Sequence, residues 1–235
     1  MQLEGLQNRV AVVTGCGRGI GRRIAETLHE QGAAVGGVDL RAPTDFPGLA
    51  VAADVSDEGA VDAAFTRIEA ELGQVSILVL NAGVLVAEPL EQTSLDSWRH
   101  TIDINLTGAF LCARRALGPM RAAGYGRVVA IGSSAGITGG TNSGAAYGAS
   151  KAGIMTLAKS IASEYAAAGV TSNALAPALI DTEMIKDMHH MRERVPVGRL
   201  GRADDVADLV AFLCSAHAGF ITGEVIDVNG GFLID

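Results

Sequence analysis

A tyrosine and a lysine stand four residues apart in the stretch GAAYGASKAG, which runs from Gly144 to Gly153. If this stretch is helical, Tyr147 and Lys151 lie one above the other on the same face. A free tyrosine ionises near pH ~10, and a neighbouring ammonium group favours the phenolate and lowers that pKa. The pair is therefore a candidate proton donor and acceptor, although the same spacing is also typical of an ordinary exposed helix pair.

A glycine-rich loop, TGCGRGIG, occupies residues 14–21 between an apolar run and a stretch of helical periodicity. A dinucleotide pyrophosphate requires a tight turn, a close approach of the backbone and a helix N-terminus directed at it. Gly15, Gly19 and Gly21 can provide these features. Because the loop joins a strand to a helix and Asp39 follows Gly19 by twenty residues, the pattern predicts a nucleotide site.

Asp39 indicates which nucleotide is bound. Its carboxylate, at the end of the second predicted strand, can accept hydrogen bonds from the adenosine ribose and would repel a 2′-phosphate, which favours NAD. Arg18 in the glycine loop, helped by Arg41, could instead bind that phosphate. Repulsion at close range is the stronger effect, so we predict NAD, with NADP as the alternative.

Short apolar runs alternate with stretches of helical periodicity along the whole chain. Continuous apolar strands that alternate with helices are typical of an α/β fold, in which helices cover both faces of a parallel sheet. We predict strands at residues 9–13, 33–38, 49–53, 76–80, 127–132, 171–175 and 225–228, and helices at 19–31, 57–72, 94–121, 147–168 and 203–214.

The connection between the second and third strands is unusually short. It comprises the ten residues Leu40 to Leu49, which include two prolines, so we predict an irregular loop in place of a crossover helix. No linker or repeat interrupts the pattern, and we expect residues 1–235 to form one domain.

Composition excludes several functional classes. Of 235 residues, 49% are hydrophobic and 19% charged, and the net charge is −8 without any run of Lys or Arg, which argues against nucleic acid and anionic membranes as partners. No apolar run reaches ~18 residues and no signal peptide is recognisable. Three widely separated cysteines are typical of free thiols in a cytoplasmic protein. His189 and His190 form the one close histidine pair, so we predict no metal site.

Together, the motifs resemble those of the short-chain dehydrogenase/reductase family over nearly the whole chain. They are, in order, TGCGRGIG at Thr14, Asp39, Asp54-Val55, NAG at Asn81, DINLTGAF around Asn105, IGSSAG around Ser134, YGASK at Tyr147, NALAP at Asn173 and FITGEVIDVNGG near the end. The resemblance implies a single Rossmann-type, doubly wound parallel sheet of about seven strands in the order 3-2-1-4-5-6-7.

The resemblance also implies catalytic roles. Tyr147 would act as the general acid/base and Lys151 would bind the nicotinamide ribose. Ser134, thirteen residues before Tyr147, would polarise the substrate, with Ser133 as its packed companion. Asn105 would hold a water for proton relay, although it could instead cap or kink its helix.

The implied cofactor contacts extend over the predicted carboxyl ends of the strands. Asn81, Ala82 and Gly83 would line the cofactor, Asp54 and Val55 would meet the adenine, and Ile180 and Thr182 the nicotinamide. Asp54 could alternatively cap the helix that begins near Asp57. The complete predicted set is Gly15, Gly17, Arg18, Gly19, Ile20, Gly21, Asp39, Leu40, Asp54, Val55, Asn81, Ala82, Gly83, Tyr147, Lys151, Pro177, Ile180 and Thr182.

Departures from the family pattern affect the predicted substrate. The branch most similar to this chain is that of 3-oxoacyl-acyl-carrier-protein reductases, in which basic residues dock the carrier protein; Tyr125 and Ala168 stand at the positions we align with them. Pro177 is followed by Ala178 where the family usually has glycine. We therefore predict an NAD-dependent oxidoreductase of a secondary alcohol or ketone. The alternatives are an NADPH-dependent 3-oxoacyl-thioester reductase and a non-enzymatic dinucleotide sensor.

Two further expectations concern the substrate lid and assembly. Residues 183–196 would form the lid, and Met184, Met188 and Met191 recur at helical spacing, either to cover a substrate or as simple core packing. His189 and His190 could meet a polar substrate or solvent. The family resemblance implies a homotetramer built through residues 94–121, 147–168 and the C-terminal strand.

Overall fold

A computed structural model describes residues 3–140 and 143–234, with the side chains of residues 187–189 outside the description. Seven strands form one sheet in the order β3-β2-β1-β4-β5-β6-β7, and every neighbouring pair is parallel. The strands are β1 (Val10–Thr14), β2 (Ala34–Asp39), β3 (Leu49–Ala52), β4 (Val75–Leu80), β5 (Gly126–Ile131), β6 (Val170–Pro177) and β7 (Val225–Val228). The predicted α/β fold and strand order are confirmed.

Helices cover both faces of the sheet. They are α1 (Gly19–Glu30), α2 (Glu58–Leu72), α3 (Leu95–Ile102), α4 (Gly108–Ala123), α5 (Ala135–Thr138), α6 (Ala145–Tyr165) and α7 (Ala203–Cys214). Apolar side chains of α1 and α7 pack on one face, and those of α2, α4 and α6 pack on the other. The sheet is therefore buried on both sides, which explains why its central strands read as continuous apolar runs.

The connection between β2 and β3 contains no helix, as the short sequence between them predicts. The side chain of Phe46 packs into the core beneath this loop. Arg22 of α1 donates a hydrogen bond to Asp45 at 3.0 Å and connects the loop to this helix. One aromatic side chain and one ion pair thus replace the crossover helix at this edge.

The long helix predicted over residues 94–121 is divided in the structure. A π-helical turn, Asp103–Thr107, joins α3 to α4, and it contains Asn105. Ser94 caps the beginning of α3 by accepting the N–H of Ser97 at 3.0 Å, and α4 ends at Gly124 in the left-handed region. Turns of the π type occur frequently at functional sites.

All the strands run in the same direction, so their carboxyl ends meet at one edge of the sheet. The loops that follow β1, β2, β4, β5 and β6 therefore converge there, and α6 crosses the same edge with its N-terminal turns. This is the position at which open α/β sheets bind ligands.

Candidate active site

Tyr147 and Lys151 lie on successive turns of α6 and face the carboxyl end of β5. The two residues are 9% and 4% exposed. The Nζ of Lys151 donates a hydrogen bond to the carbonyl of Ile131 at 2.7 Å, and it lies 5.7 Å from the centre of the Tyr147 ring. The helical spacing thus places the two side chains together in the interior and not on a solvated face.

Burial controls the protonation of this pair. It raises the pKa of Tyr147, and a hydrogen bond with the Ser133 side chain opposes this rise. Burial also lowers the pKa of Lys151 to about 8. The net shift of the Tyr147 pKa in the protein alone is upward, because withdrawal from water disfavours the charged form of both groups, and the effect of Lys151 on the tyrosine stays a prediction.

Ser133, one residue before the serine chosen by its spacing, is the serine that bonds Tyr147. Its hydroxyl also accepts the N–H of Ala135 at 3.1 Å, which fixes the side chain beside α5. Ser134 has a different local role, because its N–H donates to the Pro177 carbonyl at 3.0 Å and its carbonyl accepts the N–H of Thr138 at 2.9 Å. Both serines line the same cavity, so Ser133 is more than a packed companion.

Asn105 is fully buried behind Gly83, and its side chain forms three hydrogen bonds. Its Oδ1 accepts the N–H of Val84 at 2.8 Å, while its Nδ2 donates to the Val84 carbonyl and to the Ser150 hydroxyl, both at 3.0 Å. Ser150 in turn donates to the Tyr147 carbonyl at 2.8 Å. Asn105 therefore connects the segment after β4 to the catalytic turn of α6.

A cavity of about 430 Å³ opens in front of Tyr147. The predicted residues that line it are Ile20, Asn81, Gly83, Ser134, Tyr147, Lys151, Pro177, Ile180 and Thr182. Other lining residues were not predicted, among them Leu85, Thr138, Ser143 and Phe232, whereas Arg194 belongs to the predicted lid. No periodicity or motif in the sequence marks these unpredicted contacts.

A second cavity of about 430 Å³ continues from the first, with Asn81, Gly83 and Thr182 lining both. The predicted cofactor residues that line it are Gly15, Arg18, Gly19, Ile20, Gly21, Asp39, Leu40, Asp54, Val55, Asn81, Ala82, Gly83 and Thr182. His100 and Ile104, from α3 and the π turn, also line it and were not predicted. Together the two cavities form one continuous cleft along the carboxyl edge of the sheet.

The glycine loop fits a dinucleotide. Gly15 has a φ of 65°, which favours glycine, and a Cβ at Gly21 would lie 2.1 Å from the Gly15 carbonyl oxygen. The Nδ2 of Asn81 donates to the carbonyls of Thr14 and Gly15 at 2.9 and 3.0 Å, so Asn81 holds the loop from β4. The N-terminus of α1 begins in this loop and borders the cavity, as a pyrophosphate site requires.

Asp39 lies in the wall of the second cavity. Its carboxylate accepts the N–H of Gly17 at 2.9 Å and that of Arg41 at 3.3 Å, so the backbone fixes its orientation. Gly17 does not line the cavity itself and serves to hold Asp39. Arg18 is exposed and lines the same cavity, whereas Arg41 does not.

Asp54 and Asp57 have separate roles at the beginning of α2. The side chain of Asp57 caps the helix by accepting the N–H of Ala60 at 2.8 Å. Asp54 instead accepts the N–H and hydroxyl of Ser56, at 2.9 and 2.7 Å, and these bonds lower its pKa. Asp54 thus remains an anion at the cavity wall and is not the helix cap.

The predicted lid is a 3₁₀ helix, Glu183–Arg194, with a kink at Ile185. Met184 and Met191 both line the cavity in front of Tyr147, and Met191 is buried. The side chains of Met188 and His189 lie outside the described residues. Just before the lid, Leu179 has a left-handed backbone conformation with a φ of 49°, whereas Ala178 does not.

The described part of the chain contains no cluster of three residues that could hold a metal ion. Within the same ranges, no helix has the length and apolarity needed to cross a membrane. Cys16, Cys112 and Cys214 are free and buried, and burial raises the pKa of each thiol to about 12. Cys16 in the glycine loop is therefore a small filler side chain.

Comparison with known proteins identifies relatives that cover nearly the whole chain. A family model described as enoyl-(acyl carrier protein) reductase matches residues 15–233. A cis-4-hydroxycyclohexanecarboxylate dehydrogenase of Sinomonas cyclohexanicum is 41% identical over 97% of this chain and 98% of its own. A 3-oxoacyl-acyl-carrier-protein reductase of Escherichia coli is 38% identical over 98% of both chains. The crystal structure of levodione reductase superposes with a TM-score of 0.91 at 31% identity and covers 96% of this chain and 97% of its own.

Proposed function

The chain belongs to the short-chain dehydrogenase/reductase family, in its 3-oxoacyl-acyl-carrier-protein reductase-like branch, and from this we propose that it transfers a hydride between NAD(H) and a secondary alcohol or ketone. The observation that carries the proposal is the group of Ser133 with the buried Tyr147 and Lys151, all three of which line the first cavity. The names of the relatives describe dehydrogenases and ketoreductases, which supports the same type of reaction.

Tyr147 moves the proton in this mechanism. In the direction of oxidation, the alcohol oxygen loses its proton to the Tyr147 phenolate while the carbinol carbon loses a hydride, and reduction reverses both transfers. A bound nicotinamide supplies the hydride acceptor or donor. Ser133 donates a hydrogen bond to the substrate oxygen, where negative charge develops, and takes the role that the spacing assigned to Ser134.

Lys151 and Asn105 support the tyrosine. The ammonium of Lys151, held by Ile131, favours the phenolate and binds the nicotinamide ribose, and the positive charge of an oxidised nicotinamide adds to it. Because both Nδ2 hydrogens of Asn105 and one acceptor site of its Oδ1 are already used, a water used for proton relay would bind its main-chain carbonyl. The π turn that contains Asn105 supports this assignment, since such turns alter the regular pattern of carbonyl pairing.

Asp39 supports NAD over NADP. Its carboxylate is fixed by two backbone N–H groups in the cavity wall, so it cannot easily turn away from a 2′-phosphate. A ribose with free hydroxyls would instead donate hydrogen bonds to it. We further propose one domain, a lid at residues 183–196, a cytoplasmic location and assembly as a homotetramer.

An NADPH-dependent reductase of 3-oxoacyl thioesters is the second candidate. Arg18 borders the same cavity as Asp39, and the similarity to the Escherichia coli reductase extends over 98% of both chains. Tyr125 and Ala168 stand where carrier-protein reductases have basic residues, and the lack of positive charge at these two positions argues against docking of an acidic carrier protein.

The experiment tests both the choice of cofactor and the role of Tyr147. Calorimetry with NAD⁺ and NADP⁺ should show the tighter binding for NAD⁺, and a screen of hydroxy acids, sugars, alcohols and acyl thioesters should show NADH formation. Tyr147→Phe should abolish turnover and retain cofactor binding, because it removes only the proton-transfer group. Turnover that survives in this variant would contradict the mechanism, and a strong preference for NADP⁺ would favour the second candidate.

A further inference from the structure

The described charged side chains that line the cavity in front of Tyr147 are all positive. Among its described lining residues are two cationic side chains, Lys151 and Arg194, and no carboxylate. Lys151 is buried and hydrogen-bonded to Ile131, within the catalytic group. Arg194 is exposed and lies at the end of the lid helix. In a chain with a net charge of −8, this concentration of positive charge is a local feature.

The backbone that carries Arg194 is firmly held. The next residue, Val195, is buried, and its N–H donates to the Arg192 carbonyl at 3.1 Å. Two residues later, the N–H of Val197 donates to the Gly230 carbonyl at 3.1 Å, which ties the end of the lid to the C-terminal loop. The arginine is therefore placed by two elements and does not depend on the central residues of the lid.

An aromatic ring positions the guanidinium itself. The Cζ of Arg194 lies 5.3 Å from the centre of the Phe232 ring, within the range of a cation–π contact. Phe232 is fixed in turn, because its N–H donates to the Asn229 carbonyl at 3.0 Å. No carboxylate within the described ranges forms an ion pair with Arg194, whereas the nearby Arg199 is paired with Asp205 at 2.6 Å. The donors of Arg194 are thus available to a ligand.

The described wall of the cavity that Tyr147 and Arg194 share is mainly apolar. It is formed by Leu85, Ala135, Leu179, Ile185 and Met191. A ligand that reaches from Tyr147 to Arg194 would place an apolar body against this wall and its acceptor group at the guanidinium. Arginine binds carboxylates through two parallel hydrogen bonds, which makes a carboxylate the best match.

We infer that Arg194 binds a substrate carboxylate, so that the substrate is a hydroxy or oxo acid with an apolar body. This inference rests on the proposed oxidoreductase function and specifies its substrate class. A phosphate ester would find one arginine and no second free cation among the described lining residues. A neutral thioester would form no ion pair with the Arg194 guanidinium.

The test compares acids with neutral analogues of similar shape. Binding of cyclohexanecarboxylate and cyclohexanecarboxamide to the NAD⁺ complex is measured by calorimetry, and turnover of 3- and 4-hydroxycyclohexanecarboxylates is compared with that of their methyl esters. A charged hydrogen bond of the usual strength corresponds to a preference of about 10- to 100-fold for the acid. Arg194→Gln should reduce this preference to about 1, and Arg194→Lys should leave an intermediate value, because charge is kept and bidentate geometry is lost.

Arg192→Gln is the matched control. Arg192 lies on the same 3₁₀ helix, donates to the Gly198 carbonyl at 3.3 Å and does not line the cavity. This variant should retain the preference for the acid, and thermal unfolding confirms that all three variants are folded. An unchanged preference in Arg194→Gln, or no preference in the unmodified protein, would overturn the inference. The oxidoreductase proposal would survive that result if Tyr147→Phe still abolished turnover of neutral alcohols.

Discussion

The two serines after β5 can be separated by mutation, because their hydroxyls have different surroundings. Ser133→Ala removes the hydrogen bond to Tyr147 and the proposed donor to the developing oxyanion. We expect kcat to fall by about 10²- to 10³-fold, as for other donors of this kind. Ser134→Ala leaves the backbone contacts of residue 134 to Pro177 and Thr138 in place, so its kcat should change by less than about fivefold.

Steady-state kinetics with one substrate and NAD⁺ decides between the two serines. The thermal midpoints of both variants serve as the control, since a loss of fold would lower both activities alike. If Ser134→Ala showed the larger loss of kcat, the assignment based on spacing would be restored. If neither variant lost activity, the oxyanion role of this loop would have to be withdrawn.

The sequence locates this serine pair but cannot choose between its members. Counting back from Tyr147 depends on the length of the intervening loop, and one additional residue shifts the assignment by one position. The direction of the Tyr147 hydroxyl, which α5 and α6 determine together, is a tertiary property. For the same reason, the sequence shows that Tyr147 and Lys151 share a helix face, but it does not show that both side chains are buried. Burial raises the pKa of Tyr147 and lowers that of Lys151, so it disfavours the charged form of each group.

At the scale of elements, the two aspartates before α2 provide a test of helix capping against cofactor binding. Asp57 caps the helix, so Asp57→Ala should lower the free energy of unfolding by about 1 kcal/mol and leave cofactor affinity unchanged. Asp54 lies in the wall of the cofactor cavity, so Asp54→Ala should weaken NAD⁺ binding by about tenfold. Urea unfolding and calorimetry measure the two effects separately. Weaker NAD⁺ binding in Asp57→Ala at unchanged stability would contradict this division.

Periodicity predicted the elements that pack on the sheet, because burial of an apolar face leaves a regular trace in the sequence. The predicted bounds of α7 and β7 agree with the structure to the residue. The π turn around Asn105 was not predicted, since its extra residue is stabilised by bonds to Val84 and Ser150, which come from other parts of the chain.

At the scale of the whole molecule, two apolar surfaces remain uncovered on one chain. Phe110 of α4 is 44% exposed, and Phe220, in the loop before β7, is fully exposed. In the described sheet, β7 is an edge strand, paired with β6 alone. Large apolar side chains and open sheet edges are typical of surfaces that become covered in an assembly. The two surfaces lie on different elements, as two separate interfaces of a tetramer require.

We therefore expect light scattering to give about 96 kDa, four times the 24.1 kDa of one chain. Phe110→Glu and Phe220→Glu each place a charge in one of the two proposed interfaces. The other interface stays intact in each variant, so each should give dimers of about 48 kDa. The double variant should give monomers. Thr66→Glu is the control, since it adds the same charge at an exposed site of α2, away from both surfaces, and should leave the mass at 96 kDa. A monomer mass for the unmodified protein would refute the proposed assembly, and a single variant that dissociates completely to monomers would show that the two surfaces form one interface.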